Sequence, residues 1–212
     1  STLQKCMVDA FSKWTDVDFD SDNPSRNRPV AIGYDPSRIR DNAALVVLEI
    51  PISHAQKWRV IETVQFKGET SEYQAARIAE FYQRYNVKWC GIDVTGIGYD
   101  TFDCCNALRL KHIIPIHYSV AEKTDLVTRA KRLIDGGRFE YDMGNKDLSQ
   151  SLMMIQQITT QNGSITYGAP RSGETGHADL AWASFHAMQA ERQYNKSKQP
   201  EKKTSGSRVS IG

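Results

Sequence analysis

Val30 to Asp35 (Val-Ala-Ile-Gly-Tyr-Asp) constrains this chain more than any other stretch. It is short, apolar on both faces and preceded by Pro29, as a buried central strand should be. It then stops on a carboxylate. Alternation along an extended chain puts Ala31, Gly33 and Asp35 on one face and Val30, Ile32 and Tyr34 on the other. The positions beneath Asp35 are therefore nearly bare, which leaves room over the sheet for something other than side chains. Trp89-Cys90-Gly91-Ile92-Asp93 repeats the arrangement, again with Gly two places before a terminal Asp. One such strand end is no more than a turn or a cap. Two of them, each with glycine on the carboxylate face, point to a shared acidic site.

At 212 residues the chain holds one full core, or a core with tails. Apolar residues make up 40% and charged residues 25%, the balance of a soluble globular domain. A net charge of +2 and a pI of 8.3 are too mild to announce nucleic-acid binding through bulk charge, so any basic surface has to be local. No apolar run of about 18 residues is present to span a bilayer, and no charged-then-apolar leader marks secretion. Cys6, Cys90, Cys104 and Cys105 form no CxxC pair and read as idle or buried thiols of a reducing compartment. The first residue is Ser, which leaves open a fragment of something larger.

Residues 1–28 combine a possible helix (Leu3–Trp14) with a polar, acidic run from Thr15 to Arg28, together a linker or arm. Ala43–Ile50 and Lys57–Lys67 follow the first strand across short loops, giving three consecutive antiparallel strands. Ser71 with Gln74 suggests a capping box, and the helix behind it aligns Ile78, Phe81, Tyr82 and Tyr85 as a core face. The Trp89–Asp93 strand leads into a helix from about Tyr99 to Leu110, then Ile113–Ile116, which Pro115 confines to an edge or an end. Thr124–Asp135 is helical, stopped by Gly136-Gly137, and Leu148, Leu152 and Ile155 mark another helix. A strand at Ser164–Tyr167 follows the Asn162-Gly163 turn. A glycine-rich loop (Gly168 to Gly176) then precedes a last helix, about His177 to Arg192. Past Tyr194 nothing can be buried, and disorder is expected over 195–212. The order predicts an α/β domain over 29–194: a mixed sheet, antiparallel then parallel, flanked by helices.

A third carboxylate, Asp179, opens the last helix among small residues (Ala178, Ala181, Ala183) that let its first turn approach the sheet. A carboxylate there suits the helix dipole, the simplest explanation. Together with Asp35 and Asp93 it completes an all-oxygen set of the kind that selects Mg²⁺ or Mn²⁺. Two such ions about 4 Å apart can activate a water and stabilise the leaving oxygen in phosphodiester cleavage. A zinc-peptidase HExxH and a GxSxG elbow are both absent from the sequence.

Gly33-Tyr34-Asp35-Pro36-Ser37, Gly91-Ile92-Asp93-Val94-Thr95-Gly96 and His177-Ala178-Asp179-Leu180-Ala181-Trp182-Ala183, in this order and spacing, resemble the C-terminal nuclease domain of tailed-bacteriophage terminase large subunits. The resemblance covers about residues 1–194. It implies a ribonuclease-H-like fold and a metal-dependent endonuclease that cuts concatemeric double-stranded viral DNA during head filling. Carried over residue by residue, Asp35, Asp93 and Asp179 match the acidic triad that holds two Mg²⁺ or Mn²⁺ ions, with Asp35 bridging them and the products bearing 5′-phosphate and 3′-hydroxyl ends. Expected partners are double-stranded DNA and, for the full-length protein, the terminase small subunit and portal, at the prohead in the host cytoplasm. Neither a membrane nor a small-molecule cofactor is expected. Whole large subunits carry an ATPase with a phosphate-binding loop. No GxxxxGK[ST] occurs here, so residues 1–28 are expected to be the tail of a connector to a missing motor half.

Accessory candidates are weaker. His177, two residues before Asp179, is placed to meet the scissile phosphate or to cap the helix. Lys123, Arg129, Lys131 and Arg132 lie off their helix's apolar stripe, where they either neutralise DNA phosphates or are merely solvated; Lys123 at the helix start is preferred. Arg38, Arg40 and Arg171 lie in loops beside the aspartates, while Asp41 and Asp100 read as turn or cap residues. Two other readings stand beside the packaging nuclease. One is a junction-resolvase or transposase-type nuclease of the same fold, which would prefer branched or end-specific DNA. The other is a DNA-binding or docking module inert in isolation.

Overall fold

A computed structural model describes residues 6–8, 27–36, 42–53, 55–169 and 178–192. Its centre is a seven-stranded sheet built from β1 (Met7–Val8), β2 (Pro29–Asp35), β3 (Asn42–Glu49), β4 (Trp58–Lys67), β5 (Asn86–Asp93), β6 (Ile113–Ile116) and β7 (Phe139–Asp142). They run in the spatial order β1-β7-β4-β3-β2-β5-β6. β2, β3 and β4 pair antiparallel, as their sequence predicts, and β5, β6, β7 and β1 are added in parallel. Pro115 lies in β6, the edge strand. This is the mixed, ribonuclease-H-like arrangement expected from the sequence.

The period-2 pattern of β2 sorts the two faces. Val30, Ile32 and Tyr34 belong to a core closed by α1 (Ser71–Arg84) and α2 (Gly98–Ala107), which contribute Ala75, Ile78, Phe81 and Cys105. Ala31 belongs to the opposite core, closed by α3 (Val120–Asp135), α4 (Lys146–Met153) and α5 (Asp179–Met188) through Leu126, Leu133, Leu148, Trp182 and Phe185. Cys6, Cys90, Cys104 and Cys105 are all free thiols.

Several local expectations are corrected. Within the possible helix over Leu3–Trp14, Met7–Val8 form strand β1 instead, because β7 offers them a parallel edge. The cap of α1 is Thr70, whose side chain accepts from the Tyr73 N–H at 3.2 Å; Gln74 instead donates to the Glu69 carbonyl at 2.7 Å, so no box forms on Ser71. Helix α3 starts four residues before Thr124 because Ser119 accepts from the Glu122 N–H. Ile155 falls outside α4. Besides β1, two further strands escape the sequence reading: β7, and β8 (Gln156–Thr159), which pairs antiparallel with β9 (Ile165–Gly168) around Asn162-Gly163. The Gly168–Gly176 loop past Ala169, the linker before Asn27 (Cys6–Val8 apart) and the tail past 192 lie outside the described residues.

Candidate active site

The bare stripe on β2 and β5 is filled by the backbone of α5. A Cβ on Gly33 would stand 1.8 Å from the Ala183 carbonyl oxygen and 2.6 Å from the Ala187 nitrogen. One on Gly91 would lie 3.0 Å from the His186 carbonyl oxygen. The two glycines pair directly across the parallel strands. Glycine is required at position 33, where the helix backbone rests directly on the strand; at Gly91 the nearest atoms are the side-chain Ile116 Cδ1 and Trp89 Nε1, each at 2.9 Å. Two residues on, the same face carries Asp35 and Asp93, each one position past the paired Tyr34 and Ile92. Neighbouring strands are about 4.8 Å apart, so the two aspartates are side by side.

Both are nearly sealed from water, at 7% and 6% exposure, and Asp179 in the first turn of α5 is half-buried. Burial pushes the Asp35 carboxyl well above the ordinary carboxylate range, and the Asp179 and Asp93 charges push it further. Burial also raises Asp93, opposed by hydrogen bonds from Thr95, whose N–H donates to Oδ1 at 2.7 Å, and by the charges of Lys123 and His117. A buried carboxyl raised by two like neighbours marks a cluster short of positive charge. Among the described residues no three His, Cys, Asp or Glu side chains are drawn together tightly enough to grip an ion as they stand. The donor set nonetheless suits a hard divalent cation, being all carboxylate oxygen.

Lys123 is the accessory residue that the fold brings to this cluster. Its Nζ lies 4.6 Å from the Tyr118 ring centroid and 5.3 Å from that of Trp182, and its charge is felt at both Asp35 and Asp93. Arg129 is committed elsewhere, bonded to Asp125 at 3.1 Å, and Lys131 pairs with Asp135 at 2.9 Å. Arg132 closes the last turn of α3, and Asp100 sits in the first turn of α2. His177, Arg38, Arg40, Asp41 and Arg171 lie outside the described residues. Sequence reasoning missed Thr95, His117, Tyr118 and His186. Asp179, Ala183 and His186 follow one helical stripe (i, i+4, i+7), the single signal available for His186.

Adjacent central strands ending in aspartate, with a third delivered by a helix laid over their glycines, define a ribonuclease-H-like domain with an acidic site. The chain belongs to the terminase RNaseH-like domain family, which it matches over residues 32–191. It is 42% identical over 187 residues to the terminase ATPase subunit of Escherichia phage P2, covering 88% of this chain and 32% of that protein. Identity to the probable terminase ATPase subunit of Haemophilus phage HP1 (strain HP1c1) is 32% over 187 residues, covering 88% and 31%. The chain thus spans about a third of the length of these relatives. In fold it is similar to the large terminase nuclease of thermophilic phage G20c, with a TM-score of 0.66 at 18% identity over 77% of this chain and 83% of that one. The same nuclease with bound magnesium gives a TM-score of 0.64 at 20% identity, over 77% and 82%.

Proposed function

We propose that this domain is the metal-dependent endonuclease of a phage genome-packaging terminase, cutting concatemeric double-stranded DNA with two Mg²⁺ or Mn²⁺ ions. The observation that carries the reading is Asp35, at the end of the central strand: its carboxyl is raised first by burial and then by the charges of Asp179 and Asp93, which lie close enough to act on it. The magnesium bound by the G20c nuclease supports it. Asp35, Asp93 and Asp179 would hold the ions, which when bound supply an activated water and stabilise the departing oxygen. The chain's own residues do the rest. The Thr95 N–H fixes one Asp93 oxygen, α5 carries Asp179 to the strand ends, and Lys123 offers a cation to the DNA phosphate. In the longer protein the partners are the small subunit and portal, with cutting at the prohead in the host cell.

A supercoiled-plasmid digest tests this. Nicked and linear products are expected in Mn²⁺ or Mg²⁺ and none in chelator. Cutting undiminished by chelator, or binding without cutting in either metal, refutes it.

Lys123 gives a prediction of two opposite signs. Lys123→Met removes a cation beside the carboxylates. Divalent-ion binding should then tighten, while duplex affinity falls and the slope of log affinity against log salt drops by about 1. Fluorescence anisotropy over a salt series and a Mn²⁺ titration read the two effects separately.

A further inference from the structure

The three aspartates sit on three separate elements, β2, β5 and α5, and repel one another. One hydrogen-bonded chain ties those elements together. The Thr95 N–H holds Asp93, and the Thr95 Oγ1 accepts from the Tyr118 N–H at 2.8 Å. The Tyr118 hydroxyl lies 2.6 Å from Nε2 of His186, whose Nδ1 lies 2.9 Å from the carbonyl of Tyr34, the residue before Asp35. A carbonyl only accepts, so Nδ1 carries the proton and Nε2 accepts from the Tyr118 hydroxyl. His186 is fully buried on α5, two turns from Asp179, and its own carbonyl accepts from the Trp89 Nε1–H of β5 at 3.0 Å. Burial pushes its imidazole down to about 3, so the ring stays neutral and its two bonds keep these roles. The Tyr118 side chain packs on Trp182 and carries the Lys123 ammonium, and it feels the charge of Asp35, Asp93 and Asp179 alike.

We infer that Tyr118 and His186 are positioning residues: their hydrogen bond sets the spacing of Asp35, Asp93 and Asp179 and thereby the affinity of the site for divalent cations. This rests on the reading of those aspartates as ion ligands, and it concerns how they are held. Residues that orient metal ligands from behind typically change affinity 10–100-fold when removed.

The test uses the 212-residue chain and Mn²⁺ alone, with free ion followed by electron paramagnetic resonance and no DNA present. Tyr118→Phe keeps the ring, its packing and the seat of Lys123, and removes only the hydroxyl. The Mn²⁺ dissociation constant is expected to rise about tenfold. His186→Asn, whose amide can still reach the Tyr34 carbonyl, should match it. The double variant should be no worse than either single one, since both break the same bond. His186→Asn also keeps the test open should Tyr118→Phe fold poorly. A purely structural role would lower melting in chelator while leaving the Mn²⁺ constant within twofold, and that result overturns the inference. The two failures separate cleanly: a parent chain that binds no Mn²⁺ sinks the ion-ligand reading itself, whereas a parent that binds and variants that match it sink only the clamp.

Discussion

Asp35→Asn should abolish plasmid nicking and, in the absence of ions, make the protein more stable. The loss follows from taking a charged oxygen donor out of the acidic cluster: forfeiting about 4 kcal/mol of transition-state stabilisation is roughly a thousandfold in rate. The gain in stability follows from linkage. The folded-state pKa of Asp35 is raised by burial and by Asp179 and Asp93, so the folded chain holds this proton to higher pH than the unfolded chain does. Stability attributable to the group is full below the unfolded value, near 3.9. It declines as pH rises through the window up to the raised folded value. Asparagine has no proton to lose, so the parent and the variant should melt alike near pH 4 and diverge towards pH 8, the variant melting higher. Addition of Mn²⁺ should reverse the order, because only the parent retains its full ligand set and gains from binding. Differential scanning fluorimetry at both pH values, with chelator and with Mn²⁺, reads all four conditions. A variant that still nicks at the parent's rate, or that melts below the parent at pH 8 in chelator, contradicts the assignment.

The same residue shows why so much of the fold was legible beforehand. Strand β2 is apolar on both faces because helices cover both, and its period-2 pattern separates Val30, Ile32 and Tyr34 from Ala31 as the two cores do. The glycine-before-aspartate repeat in β2 and β5 survives translation into three dimensions as a pair of neighbours, Gly33 opposite Gly91. Elements that escaped notice lack such internal signals. Strand β7 is four residues, Phe-Glu-Tyr-Asp, and its buried Glu140 is paired with Arg59 of β4 at 2.6 Å, 81 residues away, and with Lys57 at 3.5 Å. Strand β8 is exposed along its whole length and exists through pairing with β9. Tyr118 and His186 were hidden for a similar reason. They lie 68 residues apart, and one of the histidine's partners is a backbone carbonyl, which any residue at position 34 would supply. Periodicity reports burial, whereas hydrogen bonds between distant elements leave no periodic trace.

Gly33→Ala carries the second large effect, and it separates close packing from mere smallness. The three atoms nearest the added methyl would all be α5 backbone: the Ala183 carbonyl oxygen at 1.8 Å, the Ala187 nitrogen at 2.6 Å and the Ala183 carbonyl carbon at 2.8 Å. No rotamer relieves a clash with backbone, so the helix has to lift, and Trp182 and Phe185 leave the core with it. A loss of at least ~3 kcal/mol is expected, which for a domain of this size lowers the melting temperature by roughly 6–12 °C. Gly91→Ala is the matched control. Two of its three contacts are side-chain atoms, Ile116 Cδ1 and Trp89 Nε1, each at 2.9 Å, and these can give way. Its loss should stay near ~1 kcal/mol. Asp179 lies one turn before Ala183, so lifting the helix also withdraws the third carboxylate. Gly33→Ala should therefore weaken Mn²⁺ binding even at temperatures where the variant is fully folded. If the two alanine variants melt together, or Gly33→Ala binds Mn²⁺ as the parent does, α5 does not lie on β2 as closely as this site requires.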